Sequence, residues 1–164
     1  MAGPGTKTKT RYRRCVDKRR IPILGHFLYP HARIKLRLNG EASWTAATSA
    51  IVDTGAAATL LHMVWAKNLG LEPDDVRKAK PFAFRGLSNQ PAVAYPCRLD
   101  IGFFYNCDPC LLLTGTFVGF TDALEPGRIL LGQRGCFEHV TLIHKLHAPA
   151  GWFSLEQQNS VAGQ

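Results

Sequence analysis

The sequence predicts a single all-β domain, either a barrel or a sandwich. From Ile21 onward, short strand-like apolar runs are separated by Gly, Pro and Asn, which is typical of strands joined by tight connections. The 164 residues suffice for one compact domain with tails but not for two. Hydrophobic residues make up 46% and charged residues 20%, so the chain is too apolar to be disordered.

The clearest strand pattern covers residues 33–38, where Arg or Lys alternates with Ile or Leu. This period of two indicates a strand with one buried face, and Asn39-Gly40 is typical of the hairpin turn after it. The chain then returns through Trp44 to Val52. Apolar runs predict further strands at Phe82–Arg85, Ala92–Phe104, Leu111–Val118, Ile129–Leu131, Val140–Lys145 and Trp152–Leu155.

One short helix is predicted between Leu60 and Leu69, because apolar residues recur there at helical spacing. Gly70 and Pro73 supply the signals that end it.

The positive charge is concentrated at the N-terminus. Residues 1–20 carry eight Lys and Arg against one Asp, which is +7 of the net +8. Few apolar residues accompany these charges, so we expect a flexible arm over 1–20, a folded domain over 21–156 and a disordered tail over 157–164. Residues 7–20 are a candidate for weak contact with nucleic acid or an anionic surface, and a solvated tail is the alternative.

The five cysteines form no regular framework, which favours a reducing compartment, and we expect a cytoplasmic protein. Cys107 and Cys110 have the spacing of zinc ligands, but no second pair accompanies them, so a turn with two thiols is the favoured interpretation. Cys97 and Cys136 lie in apolar runs and are expected to be small core residues. The sequence predicts no metal and no cofactor. It contains no apolar run of about 18 residues that could cross a bilayer.

The residue that points most strongly to chemistry is Asp53, directly after the apolar run Ala50–Val52. A carboxylate at the end of a buried strand loses solvation unless polar groups compensate. Thr54 and Gly55 supply a hydroxyl and a residue without Cβ, so the backbone can turn tightly toward the carboxylate. This pattern favours a functional carboxylate, and the alternative is a turn Asp that caps its own backbone.

The sequence resembles the retropepsins, a family of aspartic proteases, over about residues 34–155. Three motifs carry the resemblance in the family's order: Ile51–Ala56, Phe84–Ser88 and Ile129–Gly132. The resemblance is closest to small bacterial members, in which the last Gly precedes a short Phe-containing turn and a Val-Thr strand. Gly132 to Phe137 and Val140-Thr141 match that pattern.

The resemblance implies a half-barrel of six or seven strands that is active as a homodimer, because each chain carries a single Asp-Thr-Gly. Two Asp53 carboxylates about 3 Å apart would share one proton and activate a water for peptide hydrolysis. Thr54 would hydrogen-bond across the dimer axis, and Gly55 would leave room for the substrate backbone. Ala56 matches the retroviral pattern and would lie beside the substrate.

The second motif would form a flap over the substrate, with Gly86 at its mobile tip. Its substrate-contacting residues would be Phe84, Arg85, Gly86, Leu87 and Ser88. Without the Asp53 motif, an ordinary surface hairpin would explain these residues as well.

The chain departs from the retroviral pattern at two positions that normally pair near the dimer interface. An Asp and an Arg of that pattern are replaced here by Ala57 and Gln133. Losing both avoids a stranded buried charge. Arg134 is a candidate to take over the missing contact.

Two functions fit these observations. One is an endopeptidase that hydrolyses an extended peptide or protein substrate beneath the flap. The other is a catalytically silent dimerisation or protein-recognition module, because a fold does not determine a function. The intact Asp53-Thr54-Gly55 favours the endopeptidase.

Overall fold

The computed structural model describes residues 8–11, 31–85, 91–105, 108–145 and 152–157. Its strands are β1 (Thr8–Arg11), β2 (His31–Leu38), β3 (Thr48–Val52), β4 (Leu60–His62), β5 (Phe82–Arg85), β6 (Pro91–Tyr105), β7 (Asp108–Thr121), β8 (Ile129–Leu131), β9 (Val140–Lys145) and β10 (Trp152–Gln157). Its helices are α1 (Val64–Asn68) and α2 (Pro73–Val76). Within these ranges, no helix is long and apolar enough to span a bilayer.

Six strands close into a barrel. The hydrogen-bonded order is β2, β3, β8, β4, β7 and β6, and β6 pairs back with β2. The β3–β8 and β4–β7 pairs are parallel, and the other four are antiparallel. Strand β5 continues the sheet from β6 as one arm of a hairpin. The predicted all-β class with one or two short helices is confirmed. Of the two predicted architectures, the protein has the barrel and not the sandwich.

Alternation along the strands fills the barrel interior. Ile34 and Leu36 of β2 and Leu99, Ile101 and Phe103 of β6 are each at most 3% exposed, whereas Arg33 and Arg98, on the opposite faces of these strands, are exposed. Side chains of successive strand residues lie on opposite faces, so one face of each strand builds the core. The pattern of residues 33–38 therefore predicted the β2 core face correctly.

The connection after β2 is longer than the predicted hairpin turn. Residues 39 and 40 do turn, but β3 begins only at Thr48. Thr45 holds the connection to β2, since its amide donates to the Leu36 carbonyl at 2.8 Å and its hydroxyl accepts from the Leu36 amide at 3.0 Å. These side-chain and backbone bonds, rather than a two-residue turn, determine the path.

The predicted helix between Leu60 and Leu69 is wrong in its first third. Leu60–His62 form β4, which pairs with β7 on one side and β8 on the other, and the helix begins at Val64. A central strand position satisfies backbone groups on both edges, so tertiary pairing overrides the local helical period. Pro73 does not only end a helix: it opens the short α2 as its first residue.

Strands β6 and β7 extend beyond their predicted limits and form a long antiparallel pair. Asp108, Pro109 and Cys110, predicted to lie in a turn, belong to β7, where Pro109 faces Phe104 and Asp108 faces Tyr105. Cys107 lies outside the described residues. A local Cys-Asp-Pro-Cys spacing is typical of a turn, but pairing with the long β6 continues the strand through it.

One buried ion pair joins β2 to β6 at the closure of the barrel. Asp100 is 2% exposed, and its Oδ2 accepts from Arg37 Nε at 2.8 Å. Its Oδ1 accepts from the Gly115 amide at 2.8 Å, so both carboxylate oxygens are compensated. The Arg37 guanidinium also lies 4.5 Å over the Trp44 ring, which holds the 39–47 connection against this face.

A second, three-stranded sheet joins the two ends of the chain. Strand β10 pairs antiparallel with β9 and with β1. The sequence predicts a flexible arm over residues 1–20, but Thr8–Arg11 are part of this sheet, because the edge of β10 offers backbone groups that even a polar strand can satisfy. Gln157, the first residue of the predicted tail, belongs to β10. The other residues of both predicted tails lie outside the described ranges, and the domain limits stay a prediction.

Two buried threonines differ in whether their hydroxyl groups are hydrogen-bonded, so they test how much a buried hydroxyl contributes to stability. Thr116 is 1% exposed and its hydroxyl has no hydrogen-bond partner among the described residues. Thr121, also 1% exposed, donates to the Val93 carbonyl at 2.7 Å and accepts from the Ala123 amide at 3.1 Å.

We expect Thr116→Val to raise the free energy of unfolding by roughly 0.5–1 kcal/mol, because it removes an unsatisfied buried hydroxyl. The matched change Thr121→Val should lower it by about 1–3 kcal/mol, since it strands the Ala123 amide and the Val93 carbonyl. Urea unfolding of both variants checks the pair. A Thr116→Val protein as destabilised as Thr121→Val would contradict the expectation.

Candidate functional site

The barrel topology places Asp53 at the end of a central strand. Strand β8 lies between β3 and β4, with Val52 facing Leu131, and the Asp53 amide donates to the Leu131 carbonyl at 3.0 Å. The chain must therefore cross the end of β8 in residues 53–59 to pass from β3 to β4. Asp53 opens that crossing loop.

A tight turn holds the Asp53 carboxylate. Its Oδ1 accepts from the Gly55 amide at 3.0 Å, and its backbone carbonyl accepts from the Ala56 amide at 3.1 Å. A Cβ on Gly55 would lie 3.3 Å from Oδ1, tighter than an ordinary contact. Asp53 is half-buried, whereas Thr54 and Gly55 are exposed. The carboxylate is thus oriented by its own loop and still reaches solvent.

The segment after β8 braces the crossing loop from the other side. The Gln133 amide donates to the Ala56 carbonyl at 2.9 Å, and the Arg134 amide donates to the Ala57 carbonyl at 3.1 Å. A Cβ on Gly132 would lie 2.3 Å from the Ala58 carbonyl oxygen. Only glycine allows this approach, which explains the Gly of the third motif.

Thr59 adds a buried side-chain contact to this brace. It is fully buried, and its hydroxyl accepts from the Gly132 amide at 3.1 Å. Its backbone amide donates to the Arg134 carbonyl at 2.8 Å, and its carbonyl accepts from Gly119 at 2.9 Å. Thr59 therefore connects the end of the crossing loop to β7 and to the segment after β8.

The two residues that replace the retroviral charge pair have different surroundings. Gln133 Nε2 donates to the Thr54 carbonyl at 2.8 Å, whereas Ala57 contributes its carbonyl to the Arg134 amide. Arg134, the candidate substitute at the interface, stacks its guanidinium 4.0 Å over the Phe117 ring. Among the described residues, the Gln133 side chain therefore contacts the Asp53 turn, whereas the Arg134 side chain packs against Phe117 of β7.

Strand β5 and the start of β6 form an antiparallel pair where the flap is predicted, and the flap itself stays a prediction. Strand β5 pairs with the start of β6, with Phe82 facing Ala94 and Arg85 facing Pro91, and residues 86–90 connect them. Gly86, Leu87 and Ser88 lie outside the described residues. Of the remaining predicted flap contacts, Arg85 is exposed and Phe84 is half-buried.

An apolar cluster connects the base of this hairpin to the crossing loop. Phe82 and Phe84 pack against buried Ala58, Leu60 and Ala94. The Phe82 ring lies 5.4 Å from that of Phe117, and a Cβ on Gly119 would be 2.7 Å from the tip of Phe82. Ala58 belongs to the Asp53 loop, so the structure brings Phe84 and the Asp53 loop to the same cluster.

Other reactive groups are poorly placed for chemistry. Burial raises the pKa of the fully buried Cys136 thiol to about 12, so it is protonated at neutral pH. Burial also raises the pKa of the half-buried Cys97 thiol, and both pack in or against the core as predicted. Within the described ranges, no group of three or more His, Cys, Asp or Glu is arranged to hold a metal.

Comparison with solved structures identifies the class of fold. The chain is similar to the crystal structure of a retropepsin-like aspartic protease from Rickettsia conorii, with a TM-score of 0.51 over 96% of this chain and 97% of that one. Sequence identity is 16%, so the likeness shows the fold. No family model and no curated protein matches the sequence.

The chain therefore has a retropepsin-like fold, as its motifs indicated.

Two residues of the site were not predicted from the sequence. Thr59 gave no signal beyond a Thr before an apolar pair, and its contact with Gly132 spans 73 positions. Gln133 differs from the Arg of the retroviral pattern, but nothing local in the sequence indicates a contact with Thr54. Its bond to Thr54 spans 79 positions, and only the folded chain brings such groups together.

Proposed function

We propose that the protein is a homodimeric aspartic endopeptidase in which two Asp53 carboxylates hydrolyse a peptide bond. The observation that carries the proposal is the Asp53-Thr54-Gly55 turn: a half-buried carboxylate at a strand end, oriented by the Gly55 amide at 3.0 Å. A retropepsin-like fold around that turn supports the same reaction.

In the proposed reaction the carboxylate pair holds one shared proton, because two carboxylates this close cannot both ionise. The ionised member takes a proton from a water whose oxygen attacks the peptide carbonyl, while the other member protonates the carbonyl oxygen. The C–N bond breaks when the first carboxyl gives this proton to the amine nitrogen and the second, now ionised, takes a proton from a hydroxyl of the tetrahedral intermediate. A carboxyl and an amine product leave, and the pair again holds one shared proton. The pKa values of this reaction belong to the pair.

The neighbouring residues have separate proposed roles. Thr54 bonds to its counterpart across the dimer axis, Gly55 leaves space for the substrate backbone, and Ala56 lies beside the substrate. Phe84, Arg85 and residues 86–88 form the flap that closes on an extended peptide. The apolar cluster under Phe82 and Phe84 favours substrates with apolar side chains near the cleaved bond.

Other features of the proposal concern the whole chain. The basic N-terminal residues 7–20 contribute a weak contact with nucleic acid or an anionic surface through their charge. The protein acts in the cytoplasm without a cofactor. The competing function is a silent dimerisation or recognition module, which would need no carboxylate at this strand end.

Specific activity should fall steeply on dilution, because each chain supplies one Asp53 and only the dimer holds a pair. The measurement is cleavage of a mixed peptide library over a concentration series, with sedimentation at the same concentrations. Below the dimer dissociation constant, activity per chain should drop in proportion to concentration.

Two outcomes oppose the proposal. A sedimenting monomer with full specific activity would exclude the shared pair. A stable dimer that cleaves nothing at any concentration would favour the silent module.

A further inference from the structure

Hydrogen bonds hold the backbone of Gln133 in place beside the Asp53 loop. Its amide donates to the Ala56 carbonyl at 2.9 Å, and its carbonyl accepts from the Glu138 amide at 2.9 Å. The preceding Gly132 is locked by the close approach to Ala58. Because both backbone groups are held, the exposed Gln133 side chain leaves the chain at a defined point.

That side chain and the Asp53 carboxylate bind opposite ends of one peptide group. Gln133 Nε2 donates to the Thr54 carbonyl at 2.8 Å. The amide of the same peptide group, on Gly55, donates to Asp53 Oδ1 at 3.0 Å. The three groups form a chain of two hydrogen bonds through the Thr54–Gly55 peptide.

We propose that Gln133 is a positioning residue that acts on Asp53 through the Thr54–Gly55 peptide group. A donor on the carbonyl polarises the peptide, so its N–H becomes a better donor to the carboxylate. It also prevents the peptide from rotating away from Asp53. A carboxylate that accepts a stronger hydrogen bond stays ionised to lower pH. The kinetic part of this inference rests on the proposed function.

The charged groups around this segment are directed elsewhere. The Arg134 guanidinium lies over Phe117, and the Glu138 carboxylate accepts from the Gly135 amide at 2.8 Å. His139 Nε2 lies 3.3 Å from the Glu138 carboxylate. Gln133 thus gives the Asp53 turn a neutral donor, which keeps its hydrogen bond at every pH and depends little on salt.

The direct test observes the Gly55 amide by NMR in three forms of the full chain. In Gln133→Met, which keeps length and loses the donor, the Gly55 amide proton should move upfield and exchange faster with solvent. In Gln133→Glu, it should match the Met variant at neutral pH and return toward the wild-type shift in acid, because only the protonated carboxyl can donate. The Met variant carries no acidic group at position 133, so it corrects for effects of pH that arise elsewhere around the turn.

The kinetic test is the pH profile of kcat/KM on a peptide substrate. Gln133→Met should lower kcat by about threefold to tenfold with KM nearly unchanged, as expected for losing one positioning hydrogen bond. Its acidic limb should move to higher pH. The matched control is Arg98→Met, which also removes an exposed side-chain donor from a backbone carbonyl, that of Gly115 at 2.7 Å, and should leave both measurements unchanged.

An unmoved Gly55 amide in Gln133→Met, or an equal change in Arg98→Met, would overturn the inference. If the wild type cleaves no peptide, the proposed function fails, and the Gly55 amide still decides the role of Gln133.

Discussion

Asp53→Asn is expected to abolish the proposed peptide hydrolysis while folding and the proposed dimer are retained. Asn has the size of Asp and its Oδ1 can still accept from the Gly55 amide, which lies 3.0 Å from Asp53 Oδ1. It cannot share or transfer the proton that the reaction requires, so kcat should fall by on the order of a thousandfold or more. The measurements are kcat/KM, thermal unfolding and sedimentation.

The matched control for this change is Asp75→Asn, at an exposed carboxylate paired with Lys78 on the surface. It removes the same charge from the chain and should leave kcat/KM within twofold of wild type. Cleavage by Asp53→Asn within tenfold of wild type would refute the assignment of Asp53 as the reacting carboxylate.

Gly135→Ala is expected to give the largest loss of stability. Gly135 has φ of +94°, and a Cβ there would lie 1.9 Å from the Phe117 carbonyl oxygen, a backbone atom that cannot rotate away. The left-handed strain costs about 1–2 kcal/mol, and the displacement of β7 adds to it, for a total of about 4 kcal/mol or more. Because residues 132–135 brace the Asp53 loop, activity should be lost as well.

Gly127→Ala separates backbone strain from the steric clash as causes of the loss in stability. Gly127 also has a positive φ, +76°, but nothing lies within 4 Å of its added Cβ. Its loss in the free energy of unfolding, measured in urea, should therefore be only about 1–2 kcal/mol. Similar losses in the two variants would show that the approach to Phe117 does not matter. Should Gly135→Ala not fold, the soluble yields of the two proteins give the comparison.

Local patterns were sufficient for much of the barrel and for the candidate carboxylate. The limits of β5, β8 and β9 match the predicted ones. Strands β5 and β8 are short runs with Gly or Pro at or near their ends, and these residues interrupt strands. Asp53 could be identified for a similar reason. A charged residue directly after an apolar run is unusual whatever the position of that run in the fold, because burial near the run costs the charge its solvation. These features depend on neighbours within a few positions.

The tertiary structure decided the features that depend on distant residues. Leu60–His62 have helical spacing yet form a strand, because β7 and β8 lie on both sides. Gln133 contacts the Asp53 loop, and Thr59 at the end of that loop contacts Gly132, only because β8 inserts between β3 and β4. Their hydrogen bonds join residues more than seventy positions apart, and the local spacing of apolar and polar residues cannot predict such contacts. Sequence patterns thus located the Asp53 carboxylate, and the order of strands in the barrel brought together the groups that hold its loop.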